Sequence, residues 1–369
     1  MYVAILALDI QSDATTIPPL KQISCVSLLN VWNVMGLIYL VSRLRRTRLM
    51  HMNLKLMMIS LSVTLIFFNL ARLTKSSFFF ITRNEADLQT LGQIQFANRF
   101  CVVTRFAYDS TVNVLALTLL GIIMERTAAT TLVSIYEKNS SNSISRIIVL
   151  IQWIIGLSAA FYFLADDLNV VDYWNSKEFQ VTCSLVYTRP TLVLILFVLS
   201  VGLFAAFGIL SVILYHVNLR HFLEAATAHL AIRYQYKENV TTLAFLVPTL
   251  AVFGLANLAS VILVVRMRQF IAAQGFTTDT VDQLWTTEKA YNAMISIYTS
   301  FFVPLCIRFH RPLRDAFLVD FRRICGTDAN VALPDEKNPR IRLTDRDGKV
   351  VEAANEGEIY FQKLHNTWK

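Results

Sequence analysis

Apolar residues fall in long runs along this chain, and charged residues fall between the runs. Residues 23–41 carry no charge. Residues 56–71 carry none and are bounded by Lys55 and Arg72, and residues 106–124 carry one, Asp109. Residues 147–165, 191–215, 240–265 and 290–307 again carry none. A helix rising about 1.5 Å per residue needs about 20 apolar residues to cross a hydrocarbon core of roughly 30 Å. In lipid every backbone N–H and C=O must be satisfied within the segment, so runs of this length predict helices. The pattern predicts an all-α membrane protein, a bundle of seven transmembrane helices. The expected spans are 21–42, 54–73, 98–124, 146–166, 190–216, 240–265 and 289–308.

The segments outside the bundle are short. An extracellular N-tail (1–20) precedes it. Met1–Leu8 lacks a basic leader region, so the first span is expected to serve as the signal anchor. After the bundle (21–309), residues 310–325 alternate Arg and His with Phe309, Leu313, Phe317, Leu318 and Phe321. This predicts an amphipathic helix on the membrane surface. The cytosolic tail (326–369) is polar and charge-balanced and is expected to be mostly disordered. Asp347-Gly348 within it is a hairpin-turn signal. No outer loop is large enough to form a ligand-binding ectodomain, so a ligand must bind within the bundle or beneath the second outer loop. Pro248 and Pro304 lie inside the sixth and seventh spans, where each frees a carbonyl and permits a kink.

Composition supports the membrane reading. The chain of 369 residues is 55% hydrophobic and 16% charged, against about 25% charged in soluble domains. The net charge of +8 does not require nucleic acid, because basic loops beside anionic lipid account for it. Sixteen Lys and Arg flank the spans on the side of the first, third and fifth connections, against ten on the other side. The densest cluster, Arg43 to Lys55, follows the first span. The positive-inside rule therefore places the N-terminus outside and the C-terminus in the cytosol. Both glycosylation sequons, at Asn139 and Asn239, then face the cytosol and should carry no sugar.

Of the five cysteines, Cys25 and Cys306 lie within spans. Cys101, at the outer start of the third span, and Cys183, in the second outer loop, both face the oxidising side. They are either disulfide-bonded, tethering that loop over the bundle mouth, or two separate thiols. Cys325 follows Arg322-Arg323 and is either a lipidation site or an unmodified surface thiol.

In the outer half of the third span, Arg105 and Asp109 are four residues apart and share a helical face. Charges inside a membrane should turn into the bundle. They form a structural ion pair or, with Tyr108, Asn113, Tyr291 and Asn292, line a polar ligand site. At the inner end of the same span stands Glu125-Arg126. The segment ERTAATTLVSIYEK (residues 125–138, including Tyr136) and the segment RYQYKEN (residues 233–239, including Arg233, Tyr234 and Lys237) lie at the cytosolic ends of the third and sixth spans. A partner helix can enter an opened bundle there. The alternative is that these charges only set topology. The six histidines form no metal-ligand spacing, and no catalytic motif occurs, so no enzyme activity, metal or cofactor is expected.

These two segments resemble the signature segments of nematode serpentine chemoreceptors of the Sra superfamily, the first most like class epsilon (Sre). The chain differs from that pattern at Ala231, where Ser is usual, and at Ile135, where an acid is usual. The resemblance implies a G-protein-coupled receptor in the ciliary membrane of a sensory neuron, with a small-molecule ligand and a heterotrimeric G protein as partners. It also implies that Glu125-Arg126 serves as an inactive-state latch and that Cys101 pairs with Cys183, as in many seven-helix receptors. Two other classes were weighed. A seven-span ligand-gated channel of the insect chemoreceptor type has its N-terminus inside, against the Lys/Arg bias. A small transporter would show internal repeats and broken polar helices, and neither is visible.

Overall fold

The computed structural model describes residues 20–46, 51–84, 91–133, 143–168, 190–224, 230–274, 278–325, 341–344 and 350–353. Seven long helices carry the chain: α1 (Leu20–Arg46), α2 (Met52–Asn84), α3 (Leu91–Thr131), α4 (Ser143–Leu168), α5 (Pro190–Glu224), α6 (Leu230–Gln274) and α7 (Thr278–Phe309). Each contains a window long and apolar enough to cross a membrane. This is a GPCR-like seven-helix bundle, and the chain is an integral multi-pass membrane protein.

The helices close a ring. α1 packs on α2, α2 on α3, α3 on α5 and α6, α5 on α6, α6 on α7, and α7 back on α1. α4 sits outside the ring against α2 and α3. Large apolar side chains on α4 and α5, such as Ile147, Leu150, Phe161, Leu199 and Ile209, point outward. Asn33, Asn69, Arg105, Arg126, Asn218 and Asn239 are buried. This inverts the layering of a soluble protein and suits lipid as the outer solvent.

The helices outrun the expected spans. α3 and α6, at 41 and 45 residues, extend to about 60 Å or more at 1.5 Å per residue, roughly twice the hydrocarbon thickness. Their ends carry polar turns that hydropathy does not count as span. The gaps between α2 and α3 and between α6 and α7 are correspondingly shorter than the charge pattern suggests. Pro248 and Pro304 lie inside α6 and α7, and both helices continue through them.

α7 ends at Phe309, His310 is extended, and α8 (Arg311–Ile324) follows with Pro312 in its first turn. Proline in a first helical turn loses no hydrogen bond and blocks continuation of the preceding helix. Leu313 is buried in the core while Leu318, Phe321 and Ile324 are exposed beside Arg322 and Arg323. α8 is anchored to α1: Asp320 accepts from the Tyr39 hydroxyl at 2.7 Å and pairs with Arg43. The Phe317 ring meets Tyr39 edge-on at 6.0 Å. In the tail, β1 (Ile341–Thr344) pairs antiparallel with β2 (Val350–Ala353), Ile341 facing Ala353 and Thr344 facing Val350. The strands flank the Asp347-Gly348 turn signal.

Candidate functional site

Two polar clusters occupy opposite ends of the bundle, with a smaller polar layer between them. At one end Arg126 is fully buried. Its Nε and Nη2 donate to Glu125 Oε2 and Oε1 at 2.6 and 2.5 Å, a bidentate pair between neighbours on α3. Its Nη1 donates across the bundle to Asn239 Oδ1 on α6 at 3.0 Å. Gln235 Nε2 also donates to Asn239 Oδ1, at 3.3 Å. Asn239 Nδ2 donates to Asn218 Oδ1 on α5 at 3.0 Å, and Asn218 Nδ2 donates to Thr130 Oγ1 on α3 at 2.9 Å. The chain of bonds thus runs α3–α6–α5–α3. A bidentate Arg–carboxylate pair is strong, and a buried charge is tolerated only when its remaining donors are satisfied. Asn239 supplies an acceptor for Nη1.

Beside this cluster, the N-terminus of α2 meets α6. The His51 backbone N–H donates to Glu238 Oε1 at 2.7 Å. A carboxylate there also complements the helix dipole. The Asn53 N–H donates to His51 Nδ1 at 3.3 Å. Burial, reinforced by the Arg126 charge, pushes the His51 imidazole down to about 4, so it is neutral near pH 7. An apolar cavity nearby is lined by Leu54, Met58, Phe245, Cys306, His310 and Leu313, with Thr241 and Thr242.

Toward the other end, Asn33 Nδ2 donates to the Ser296 carbonyl at 2.9 Å and to Asn69 Oδ1 at 3.3 Å. Ser300 Oγ donates to Asn33 Oδ1 at 2.9 Å. This layer joins α1, α2 and α7. One turn further out, the Tyr108 hydroxyl donates to Asn292 Oδ1 at 2.7 Å, linking α3 to α7. The Arg72 guanidinium lies over the Tyr108 ring, 5.8 Å from its centre. Phe68 packs on the same ring at 5.3 Å. Arg105 Nε and Asp109 Oδ2 are 3.4 Å apart.

The residues singled out from sequence distribute as follows. Arg105, Tyr108, Asp109 and Asn292 lie in the half of the bundle remote from Arg126. Asn113 is half-buried one turn below Asp109 on α3. The Tyr291 side chain lies outside the described residues. At the opposite end, Glu125 and Arg126 are buried together. Arg233 and Lys237 are exposed on α6, the Arg233 guanidinium 5.4 Å from the Phe222 ring centre. Tyr136 and the Tyr234 side chain lie outside the described residues. Cys101 is disulfide-bonded, and Cys306 and Cys325 are free, the latter exposed. The partner of Cys101 is therefore Cys25 or Cys183, whose side chains lie outside the described residues. Asn139 also lies outside them, whereas the sequon residue Asn239 is buried and hydrogen-bonded.

Sequence reasoning missed Asn218 and the structural role of Asn239, Asn33 and Asn69. Asparagine within an apolar helix is costly unless it bonds across helices, and that signal was present at Asn33 and Asn69. It was weaker at Asn218 and Asn239, which fall just beyond the charge-free runs.

This geometry, seven helices with a buried acid–Arg pair near the C-terminal end of the third, is that of a GPCR-like bundle. Residues 14–305 match the profile of the serpentine type 7TM GPCR receptor class ab chemoreceptors, and the chain belongs to that family. The class epsilon expectation is thereby corrected to class ab. It rested on two short segments, whereas the match spans the bundle. The chain is also similar to the Probable G-protein coupled receptor F27E5.8 of Caenorhabditis elegans, at 21% identity over 360 residues, covering 94% of this chain and 91% of that one.

Proposed function

We propose that this protein is a chemosensory receptor of the plasma membrane, in a sensory cilium, that binds a small molecule in its outer half and activates a heterotrimeric G protein at its inner end. The N-terminus faces out and the tail faces the cytosol. Cys101 pairs with Cys183 and holds the second outer loop over the mouth. Arg105, Tyr108, Asp109, Asn113, Tyr291 and Asn292 surround the ligand. Glu125, Arg126, Tyr136, Arg233, Tyr234 and Lys237 serve coupling, and Cys325 is available for lipidation.

The observation that carries this reading is the bond from Arg126 to Asn239. It ties α3 to α6 at the end where those helices must part for a partner to enter. Ligand binding shifts a two-state equilibrium, and in the closed state Arg126 is held by Glu125 and Asn239. Opening releases Arg126 toward the G protein, with the exposed Arg233 and Lys237 at the rim.

A test needs no ligand. Glu125→Gln removes the charge that holds Arg126, so it is expected to raise basal G-protein activation in transfected cells. Adding Arg126→Leu, or Arg233→Ala with Lys237→Ala, to that background should return activation to the level of untransfected cells at unchanged surface expression. Equal activation with and without Arg126 would sink the coupling assignment.

A further inference from the structure

Arg72 stands out among the buried charges of this bundle. It lies on α2 within the candidate span Met52–Ser77 and is only 7% exposed. Among the described residues no carboxylate pairs with it, and its Nε has no hydrogen-bond partner. Its contact is the face of Tyr108, a modest attraction that leaves the guanidinium N–H donors unused. Removing a charge from water without a partner is expensive, and buried charges are normally paired. Arg105, by contrast, has Asp109, and Arg126 has Glu125.

The surroundings locate Arg72 in a layer. Asn33, Asn69 and Ser296 meet across α1, α2 and α7. One turn outward along each helix come Asn30, Arg72 and Asn292. Asn292 fixes the Tyr108 hydroxyl, which holds the ring under the guanidinium. Asn30 is fully buried, and neither atom of its side-chain amide has a partner. Unmet donors on α1 and α2 thus occur at one level, above a floor whose polar groups are already satisfied. Buried unsatisfied groups at one level indicate a missing partner.

We propose that this layer binds an oxyanion, a carboxylate or phosphate group received by the Arg72 guanidinium in bidentate fashion. The inference rests on the outer-half ligand site proposed above and gives its ligand a negative charge. The group belongs either to a small soluble molecule or to a lipid headgroup, since Arg72 lies five residues from the outer end of its span.

The full chain, purified in nanodiscs of phosphatidylcholine, tests this by thermal unfolding with no G protein present, so failure here is separable from failure of coupling. Millimolar hexanoate or inorganic phosphate should raise the midpoint by about 3 °C, and hexanamide should not. Arg72→Gln should abolish the rise and Arg72→Lys should keep part of it. A rise seen only when phosphatidylserine is added, and lost in Arg72→Gln, would assign the oxyanion to a lipid headgroup. No rise with any anion, or a rise unchanged in Arg72→Gln, would overturn the proposal. So would unliganded Arg72→Gln that fails to fold or melts well below wild type, because removing a charge without a partner should not destabilise the empty bundle.

Discussion

His51 shows how one residue at a helix start can tie stability to pH. Its ring accepts from the Asn53 N–H while its own N–H donates to Glu238, so it joins the first turn of α2 to α6. The ring faces the Arg126 and Glu125 charges, and burial and Arg126 together depress its basicity from 6.5 to about 4. His310, at the start of α8, is pushed down to about 4 by burial alone. A base with a depressed folded-state pKa is protonated first in the unfolded chain. The stability it confers is complete above about pH 6.5 and is lost as pH falls through the window toward 4. Lowering pH from about 7 to about 5 should therefore lower the unfolding midpoint of the purified receptor. His51→Gln should flatten that dependence, leaving the part due to His310. A pH profile unchanged in His51→Gln would show that the ring is not buried against Arg126.

Between elements, the tightest fit is α4 against α3. A Cβ on Gly156 would lie 2.4 Å from Val114 Cγ2, 3.2 Å from the Val114 backbone N and 3.4 Å from the Ser110 carbonyl. The methyl can rotate away, but the backbone of α3 cannot. Gly156→Ala should therefore destabilise the receptor by about 1–3 kcal/mol, the range for overpacking. Gly202→Ala and Gly208→Ala on α5, where a Cβ meets nothing within 4 Å, should be neutral or stabilise by up to about 1 kcal/mol through helix propensity. Equal unfolding midpoints for the two classes of variant would refute this packing. The same physics explains what the sequence makes legible. Hydropathy reports what lipid requires, so all seven helices could be counted from apolar runs with at most one charge. It is silent on backbone hydrogen bonding in water, so the long polar ends of α3, α5 and α6 escaped it. Arg105 and Asp109 could be read as one face because their spacing is local. Arg126 with Asn239, and Tyr108 with Asn292, could not be read as partners, because each pair depends on how distant helices pack. Arg72 looked like a charge marking the end of a span until its burial was known.

For the whole molecule, the remaining question is which end faces the cell interior, and the chain supplies one asymmetric signal. Arg43, Arg45 and Arg46 crowd the last turn of α1, and α8 brings Arg322 and Arg323 to the same end, held there by Asp320 on Arg43. Basic side chains near span ends favour the cytosolic leaflet, where anionic lipid contributes about 1 kcal/mol for each. This end also holds the Arg126 cluster and the exposed Arg233 and Lys237. Glycosylation gives less information than the two sequons suggest, because Asn239 is buried in the α3–α5–α6 network and would stay unmodified whichever side it faced. Tags report directly. An N-terminal tag should be stained by antibody on intact cells, and a C-terminal tag only after permeabilisation. That outcome puts the oxyanion layer toward the outside, where a chemical cue arrives, and the Arg126 cluster toward the G protein. The reverse pattern would reverse both assignments at once and would make the inside-facing N-terminus of a seven-span channel the better description, to be pursued by recording ion currents.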